Sequence, residues 1–536
     1  MRTSHRSSAG FASSFSFALS ICLSTALVGC VDQAPPATTE SSSAATAAAP
    51  TYLVSFASGS VPSNAASILS TAAGSAGATI KATYANLGMV LVSTSSTSFV
   101  SALRADSRVD AVGPSRKLSS AINGVTGKTA INFKEAKPTA RPKVFRAPGA
   151  DPLSFRQWDM DQIHSPQARA INAGSSSVLV GILDSGIDIT HPDLAGQVNT
   201  AASASCIGGV VDTTQAVWSN DIIGHGTHVA GNIAGKKNNV GIVGVAPGVK
   251  LAGVKLAVDD VNDPNFGLVF ADAMVCAIDW AIQKNFDLMN ASLTIDPFTG
   301  PIDDIFCTDD PDRDAVITMV RKAVVKAALK NISLVASTGN MFLDLASLKS
   351  PNGAKCDVLP VALPTVIGVS AVGYTKQLSW FSDYGAGQVD LAGPGGDNLI
   401  PDTQVPDTTA SGQVLSSVPP GSLYYALAAG WNGQVQDCST GTCSTYAYLQ
   451  GTSQAAPHVT GVAALAISRF GKMGPVALRW VLSRTASGLA CPASPYDPGM
   501  TGQPATCSSE KLFGGLINGT NFYGAGEVDA YNVLTK

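Results

Sequence analysis

The sequence predicts an α/β chain in which a mainly parallel sheet is covered by helices on both faces, preceded by a small α+β unit. Three observations carry this. From Pro152 onward, fully apolar runs of strand length alternate with segments of helical periodicity, and that alternation belongs to parallel sheets buried on both sides. Between Thr51 and Leu118 shorter elements follow in the order β-α-β-β-α-β, which is ferredoxin-like. At 536 residues, with 45% hydrophobic and 13% charged, the chain is long enough for two folded units and tails.

The elements follow in order. Arg2 and Arg6 precede the apolar, serine-interrupted stretch from Phe11 to Val28. That stretch is too broken for a membrane span and reads as an export signal over residues 1–29. It ends in Leu27-Val28-Gly29-Cys30, which resembles a bacterial lipobox, so Cys30 is the expected lipidation site. Residues 30–50 are rich in Ser, Thr, Ala and Pro and predict a flexible tether. Within residues 51–118, Tyr52–Phe56 reads as a strand and Ser63–Ala72 as a helix. Lys81–Tyr84 and Met89–Val92 read as a strand pair, Ser98–Arg104 as a second helix, and Val109–Val112 as the closing strand. Residues 119–151 turn polar and basic, with Lys134, Lys137, Arg141, Lys143 and Arg146 among prolines, and predict a linker.

Over residues 152–536, strands are expected at Val178–Leu183, Lys250–Leu256, Asp287–Leu293, Ser333–Ala336 and Val366–Val372. Helices are expected at His225–Gly235, Phe270–Gln283, Asp314–Leu329 and Ser453–Ser468. Asp184 closes one strand and Asn340 lies just past another, at the carboxyl ends where such sheets gather active residues. The segment from Gly396 to Tyr446 reads only as a surface loop, and the acidic run Asp309-Asp310-Pro311-Asp312 as a solvated one. A net charge of −4 argues against nucleic acid or an anionic membrane surface as partner. Beyond Cys22 and Cys30, eight cysteines remain, an even number that in an exported chain favours disulfides. Cys438 with Cys443 and Cys491 with Cys507 are the economical pairs.

The chemistry concentrates in three segments. Gly451-Thr452-Ser453-Gln454-Ala455-Ala456-Pro457-His458 sets a serine among small residues ahead of a helix, where main-chain N–H groups can meet a reacting oxygen. Upstream stand Asp184 in Ile182-Leu183-Asp184-Ser185-Gly186 and His225 in Gly224-His225-Gly226-Thr227-His228. A serine hydroxyl needs a base whose pKa lies near the working pH, which histidine supplies, and a carboxylate to fix the imidazole tautomer.

Taken together, these segments resemble the subtilisin family of serine endopeptidases, over roughly Gln157 to Asn532, in the chain order Asp, His, Ser. The resemblance implies a subtilisin-like three-layer sandwich with Asp184 as orienter, His225 as base and Ser453 as nucleophile. It makes Asn340, in Ser337-Thr338-Gly339-Asn340, the oxyanion donor alongside the Ser453 N–H. Ser292, Leu293 and Thr294 become one wall of the substrate pocket, and Ser337, Thr338 and Gly339 the other. Thr294 stands where the family has glycine, so specificity does not transfer, while Met341 beyond the second wall favours an apolar preference. His228 is expected to support its helix. No cofactor is implied for catalysis. Asp193 and Asn238 match positions that hold structural calcium in relatives, with Ser154 or Gln157 as a further ligand. Residues 51–118 resemble the family's inhibitory propeptide, which implies self-cleavage within the linker. The chain is thus expected to be an exported, autoprocessed monomer acting on proteins or peptides, touching the membrane only through lipidated Cys30 before processing. A lipase would need Gly-x-Ser-x-Gly, which Ala455 breaks. His225 and Asn340 argue against the related glutamate-base hydrolases. The complete set argues against a catalytically silent scaffold.

Overall fold

The computed structural model describes residues 49–115, 119–121, 150–258, 267–294, 311–349, 353, 356–399, 412–498 and 504–536. The signal, Cys30 and most of the tether and linker lie outside the described residues.

The first unit comprises β1 (Thr51–Phe56), α1 (Ala65–Ala73), β2 (Thr79–Tyr84), β3 (Met89–Ser93), α2 (Phe99–Arg104) and β4 (Val109–Pro114). Its four strands form an antiparallel sheet in the order β2-β3-β1-β4, the ferredoxin-like arrangement. Alternate side chains of a strand point to opposite faces, and here both faces are apolar. Val54, Phe56, Val90, Val92 and Val112 pack on Ile68, Leu69, Phe99 and Leu103 of the unit's own helices. Leu53, Met89, Leu91 and Ala111 face the other way, into the core of the larger unit. A further short strand, β5 (Ser119–Ala121), follows.

The larger unit is built on β6 (Leu179–Asp184), β7 (Ala204–Ser205), α3 (His225–Ala234), β8 (Lys250–Lys255), β9 (Leu268–Phe270), α4 (Ala271–Gln283), β10 (Leu288–Ala291), α5 (Pro311–Leu329), β11 (Ser333–Ser337), β12 (Val366–Val372) and β13 (Leu391–Pro394). Seven of these strands form one sheet, β13-β12-β11-β10-β6-β8-β7, with every neighbouring pair parallel. Strand alternation splits the core into two. Leu183, Met289, Leu334 and Ala336 meet α4 and α5, whereas Val180, Ile182, Leu288 and Val335 meet the opposite helical layer. Outside this sheet, β9 pairs antiparallel with β5, Ser119 opposite Phe270 and Ala121 opposite Leu268.

Four segments differ from the sequence expectation. Residues between Gly396 and Tyr446 are more than a surface loop: β14 (Val414–Ser417), β15 (Gln434–Asp437) and β16 (Ser444–Leu449) form an antiparallel sheet, ordered β14-β16-β15. The Cys438–Cys443 disulfide closes the turn between its last two strands, and Val435, Tyr446 and Tyr448 bury against Ile242 and Leu153. Pro311 and Asp312 open α5 rather than lying in a loop, and Asp312 pairs with Arg104 of α2 at 2.5 Å. Proline at a helix start has no N–H to lose, and an acid there favours the helix dipole. The edge strands β7 and β13 lie in segments where no strand is expected.

The chain ends in α6 (Thr452–Phe470), α7 (Pro475–Thr485) and shorter elements. Cys491–Cys507 pairs as expected, and Cys206–Cys276 staples the region after β7 to α4. No described helix is long and apolar enough to cross a membrane.

Candidate active site

Asp184 is the last residue of β6 and His225 the first of α3, so strand end and helix start deliver them to one another. Asp184 Oδ1 lies 2.7 Å from His225 Nδ1, and both side chains are buried. The same oxygen accepts the Ser185 N–H at 2.7 Å. Gly226 makes this approach feasible: a Cβ there would overlap the Gly186 carbonyl and come within 3.1 Å of the Asp184 Cβ. The glycine thus clears space beside the aspartate.

Behind the pair lies a carboxylate that the sequence did not single out. Asp221 is buried and accepts from Ser185 Oγ at 2.7 Å, Gly224 N at 2.8 Å, Thr227 N at 2.9 Å and Thr227 Oγ1 at 2.6 Å. Burial nonetheless pushes its carboxyl above the usual range. It fixes the entry turn of α3, and so the height of His225 over the sheet. Ser185 Oγ also accepts the Gly226 N–H at 2.9 Å, linking the two aspartates through α3's first turn. His228 points away; its Nε2 meets the Ala447 carbonyl at 3.1 Å, and burial lowers its pKa to about 3, so it stays neutral and structural.

Ser453 is the second residue of α6, which starts after Gly451 at φ +154°. Its N–H is among the first helical amides, which have no intrahelical partner. Pro457, inside the helix, has no N–H to return to the Ser453 carbonyl. Ser292 Oγ takes that place, donating to it at 2.8 Å, while Ser453 Oγ donates to the Ser292 carbonyl at 3.1 Å. The hydrogen bond from Ser453 to His225 Nε2 that base catalysis needs is not formed here. Such bonds are often long without substrate and tighten toward the transition state.

Asn340 follows β11. Its Oδ1 accepts the Thr452 N–H at 2.8 Å and lies 3.0 Å from Thr452 Oγ1. Because the main-chain N–H can only donate, the amide oxygen must face it, and Nδ2 is left as the outward donor. A Cβ on Gly451 would lie 3.6 Å from Nδ2, so that donor sits at the start of the serine's turn.

The two expected pocket walls face each other. A Cβ on Gly339 would lie 3.7 Å from Thr294 Cγ2, placing the branched threonine opposite the glycine. Ser292, Leu293, Ser337 and Thr338 are buried supports, and Met341 is half exposed.

Asp193 and Asn238 do come together, Asn238 Nδ2 lying 3.4 Å from Asp193 Oδ1. The donor set does not fit a cation, however. The loop from Asn238 to Ile242 aims N–H groups at carboxylates: Asn238 and Asn239 at Asp151 (3.0 and 3.1 Å), Gly241 at Asp437 (2.8 Å) and Ile242 at Asp193 (3.2 Å). Calcium would require oxygens there. Gln157 is engaged with the Val243 main chain instead, at 2.9 and 3.2 Å, and Ser154 Oγ with the Asp151 carbonyl. Asp437 reaches the loop from β15. A cation held at about a hundred times its Kd would add about 2.7 kcal/mol, several degrees of Tm. The Ser453→Ala protein is expected to melt at the same temperature in EGTA and in millimolar calcium. A calcium-dependent rise that Asp193→Asn removes would refute this.

A buried Asp-His pair, a serine in the first turn of a helix and an amide donor are the groups a serine hydrolase uses. The family model for the subtilase family of S8 peptidases matches residues 175–523, and the chain belongs to that family. It is 29% identical over 361 residues to fervidolysin of Fervidobacterium pennivorans, covering 65% of this chain but 44% of that protein. Against subtilisin DY of Bacillus licheniformis it is 29% identical over 328 residues, 61% of this chain and 90% of that one. Among solved structures, fervidolysin, described as a keratinolytic enzyme related to subtilisin, aligns with a TM-score of 0.60 at 23% identity, covering 91% of this chain and 61% of that one. The epidermin leader peptide processing serine protease of Staphylococcus aureus aligns at 0.62 and 17%, covering 91% and 99%. These two structural likenesses establish the fold.

Proposed function

We propose that this chain is an exported serine endopeptidase made as a self-processing zymogen. The observation that carries the reading is the buried 2.7 Å Asp184–His225 pair at the carboxyl end of β6. As Ser453 Oγ attacks a peptide carbonyl, His225 Nε2 takes its proton, and Asp184 stabilises the imidazolium that results. The Ser453 N–H and Asn340 Nδ2 receive the oxyanion. The imidazolium then protonates the leaving amine, and water repeats the sequence on the acyl-enzyme. These groups supply every proton and charge the reaction requires, so no cofactor enters.

The zymogen reading draws on the first unit. Its second apolar face packs into the core of the larger unit, and its rim is tied down by Tyr84 Oη to the Gly209 carbonyl at 2.6 Å, Asn86 N to Asp279 Oδ1 at 3.0 Å, and Lys322 to Asp110. Beyond it, β5 pairs along β9 in the extended form a substrate main chain adopts. Residues 51–118 act as the inhibitor, and self-cleavage falls within 119–151. With Cys30 lipidated, that cut also releases the monomeric enzyme from its membrane anchor.

The test is fluorophosphonate labelling of the released enzyme with N-terminal sequencing. Label on Ser453 and a new terminus within 119–151 are expected. Absence of label, label that survives Ser453→Ala, or a released form beginning at Cys30 would sink the reading.

A further inference from the structure

The loop that carries Asn340 is conformationally costly. Gly339 has φ +119° and Phe342 φ +56°, the latter in the left-handed region that a bulky side chain disfavours. Something must hold the turn, and one buried side chain touches it at each critical point. Asp383 Oδ1 accepts the Met341 N–H at 2.9 Å and the Leu343 N–H at 2.8 Å, the two amides that flank the strained Phe342. The Asp383 N–H donates to the Gly339 carbonyl at 3.0 Å. Its other carboxylate oxygen lies against Gly339, where an added Cβ would overlap it. The Asp383 carbonyl accepts from Thr338 Oγ1 at 3.0 Å, and flanking main-chain bonds run from Phe342 N to Phe381 O and from Tyr384 N to Leu343 O. Asn340 is therefore bracketed from both sides by one residue that makes no contact with the reacting atoms.

We propose that Asp383 is a positioning residue for catalysis, locking the Gly339–Leu343 turn so that Asn340 Nδ2 stays aimed at the oxyanion. The proposal rests on the reading of Asn340 as oxyanion donor. Thr452 fixes the amide's rotation through its N–H, and Asp383 fixes the main chain from which the amide projects. An aspartate suits the task because two N–H groups converge on one carboxyl oxygen, which accepts both even though burial pushes the group's pKa up to about 7.

A double-variant cycle tests it, using enzyme matured in trans by tagged wild type that is then removed. Asp383→Ala is expected to lower kcat about 100-fold, as sub-ångström to ångström misplacement of a catalytic group does, with KM changed less than about 3-fold. Asp383→Asn, which keeps an acceptor oxygen, is expected to recover most of that loss. In an Asn340→Ala background, itself reduced about 10²–10³-fold, Asp383→Ala should cost little more. Full additivity of the two losses, or an Asp383→Ala effect seen in KM alone, would overturn the positioning role while leaving the Asn340 reading intact. An unchanged kcat in Asn340→Ala alone would fell that reading and this proposal with it. Should Asp383→Ala not fold, Asp383→Ser, too short to span both amides, takes its place in the cycle.

Discussion

Replacing His225 by alanine is expected to reduce kcat toward peptide substrates by about 10⁶-fold, and replacing Ser453 by alanine to cost the same. That is the size of loss subtilisin itself shows when either group is removed. Combining the two changes should add almost nothing, because base and nucleophile act in one step and neither has a role without the other. What remains, about 10³–10⁴ over water, comes from the oxyanion donors and from binding. Stability should move little. Truncating His225 removes an edge contact with Tyr424 at 5.6 Å and one hydrogen bond, while Asp184 Oδ1 keeps the Ser185 N–H. Kinetics on a peptide anilide beside thermal melts of each variant decide the matter. A His225→Ala enzyme that keeps more than about one percent of wild-type turnover would remove His225 from the base role. Both variants should also persist as uncut full-length chains, since processing and substrate hydrolysis would use the same serine.

The proposed triad could be read in the sequence because each member sits in a short segment whose composition serves its own chemistry: an apolar strand ending in aspartate, a histidine between glycines, a serine among small residues. The parallel sheet was legible for a similar reason, since strands buried on both faces leave unbroken apolar runs. The supports were not legible. Asp221, Ser185 and Thr452 lie within or beside the motifs, yet their roles arise from which N–H groups converge on them, and no local pattern records that. Asp383 lies on a different segment from the turn it holds, and only the approach of Phe381–Tyr384 to Gly339–Leu343 reveals it. The partners of the Asn238–Ile242 loop were not legible either, through distance of the same kind. Asp193 and Asn238 were read correctly as neighbours, but Asp437 enters from a four-residue strand too short to announce itself, and Asp151 from the segment before the sheet. Disulfides divide along the same line: Cys438–Cys443 and Cys491–Cys507 are local and were expected, whereas Cys206–Cys276 closes 70 residues.

Asp184→Asn isolates the charge of the orienter from its shape. The Ser185 N–H at 2.7 Å converges on the same Asp184 oxygen as His225 Nδ1, so an asparagine must keep its carbonyl oxygen there and turn its amide nitrogen to the Oδ2 position. The imidazole then still donates from Nδ1 and still presents Nε2 to the serine, which preserves the productive tautomer. What is lost is the negative charge facing the imidazolium that forms as Ser453 gives up its proton, in a site where both partners are out of water. The variant is expected to bind substrate nearly as before, with KM within about 3-fold, and to lose roughly 10⁴-fold in kcat, equivalent to about 5.5 kcal/mol of transition-state stabilisation. Asp221→Asn is the internal control: that carboxylate touches Ser185, Gly224 and Thr227 but not the imidazole, and its loss should be far smaller. A loss below about 100-fold in Asp184→Asn, or one carried by KM, would mean that orientation alone accounts for the orienter and that its charge is dispensable.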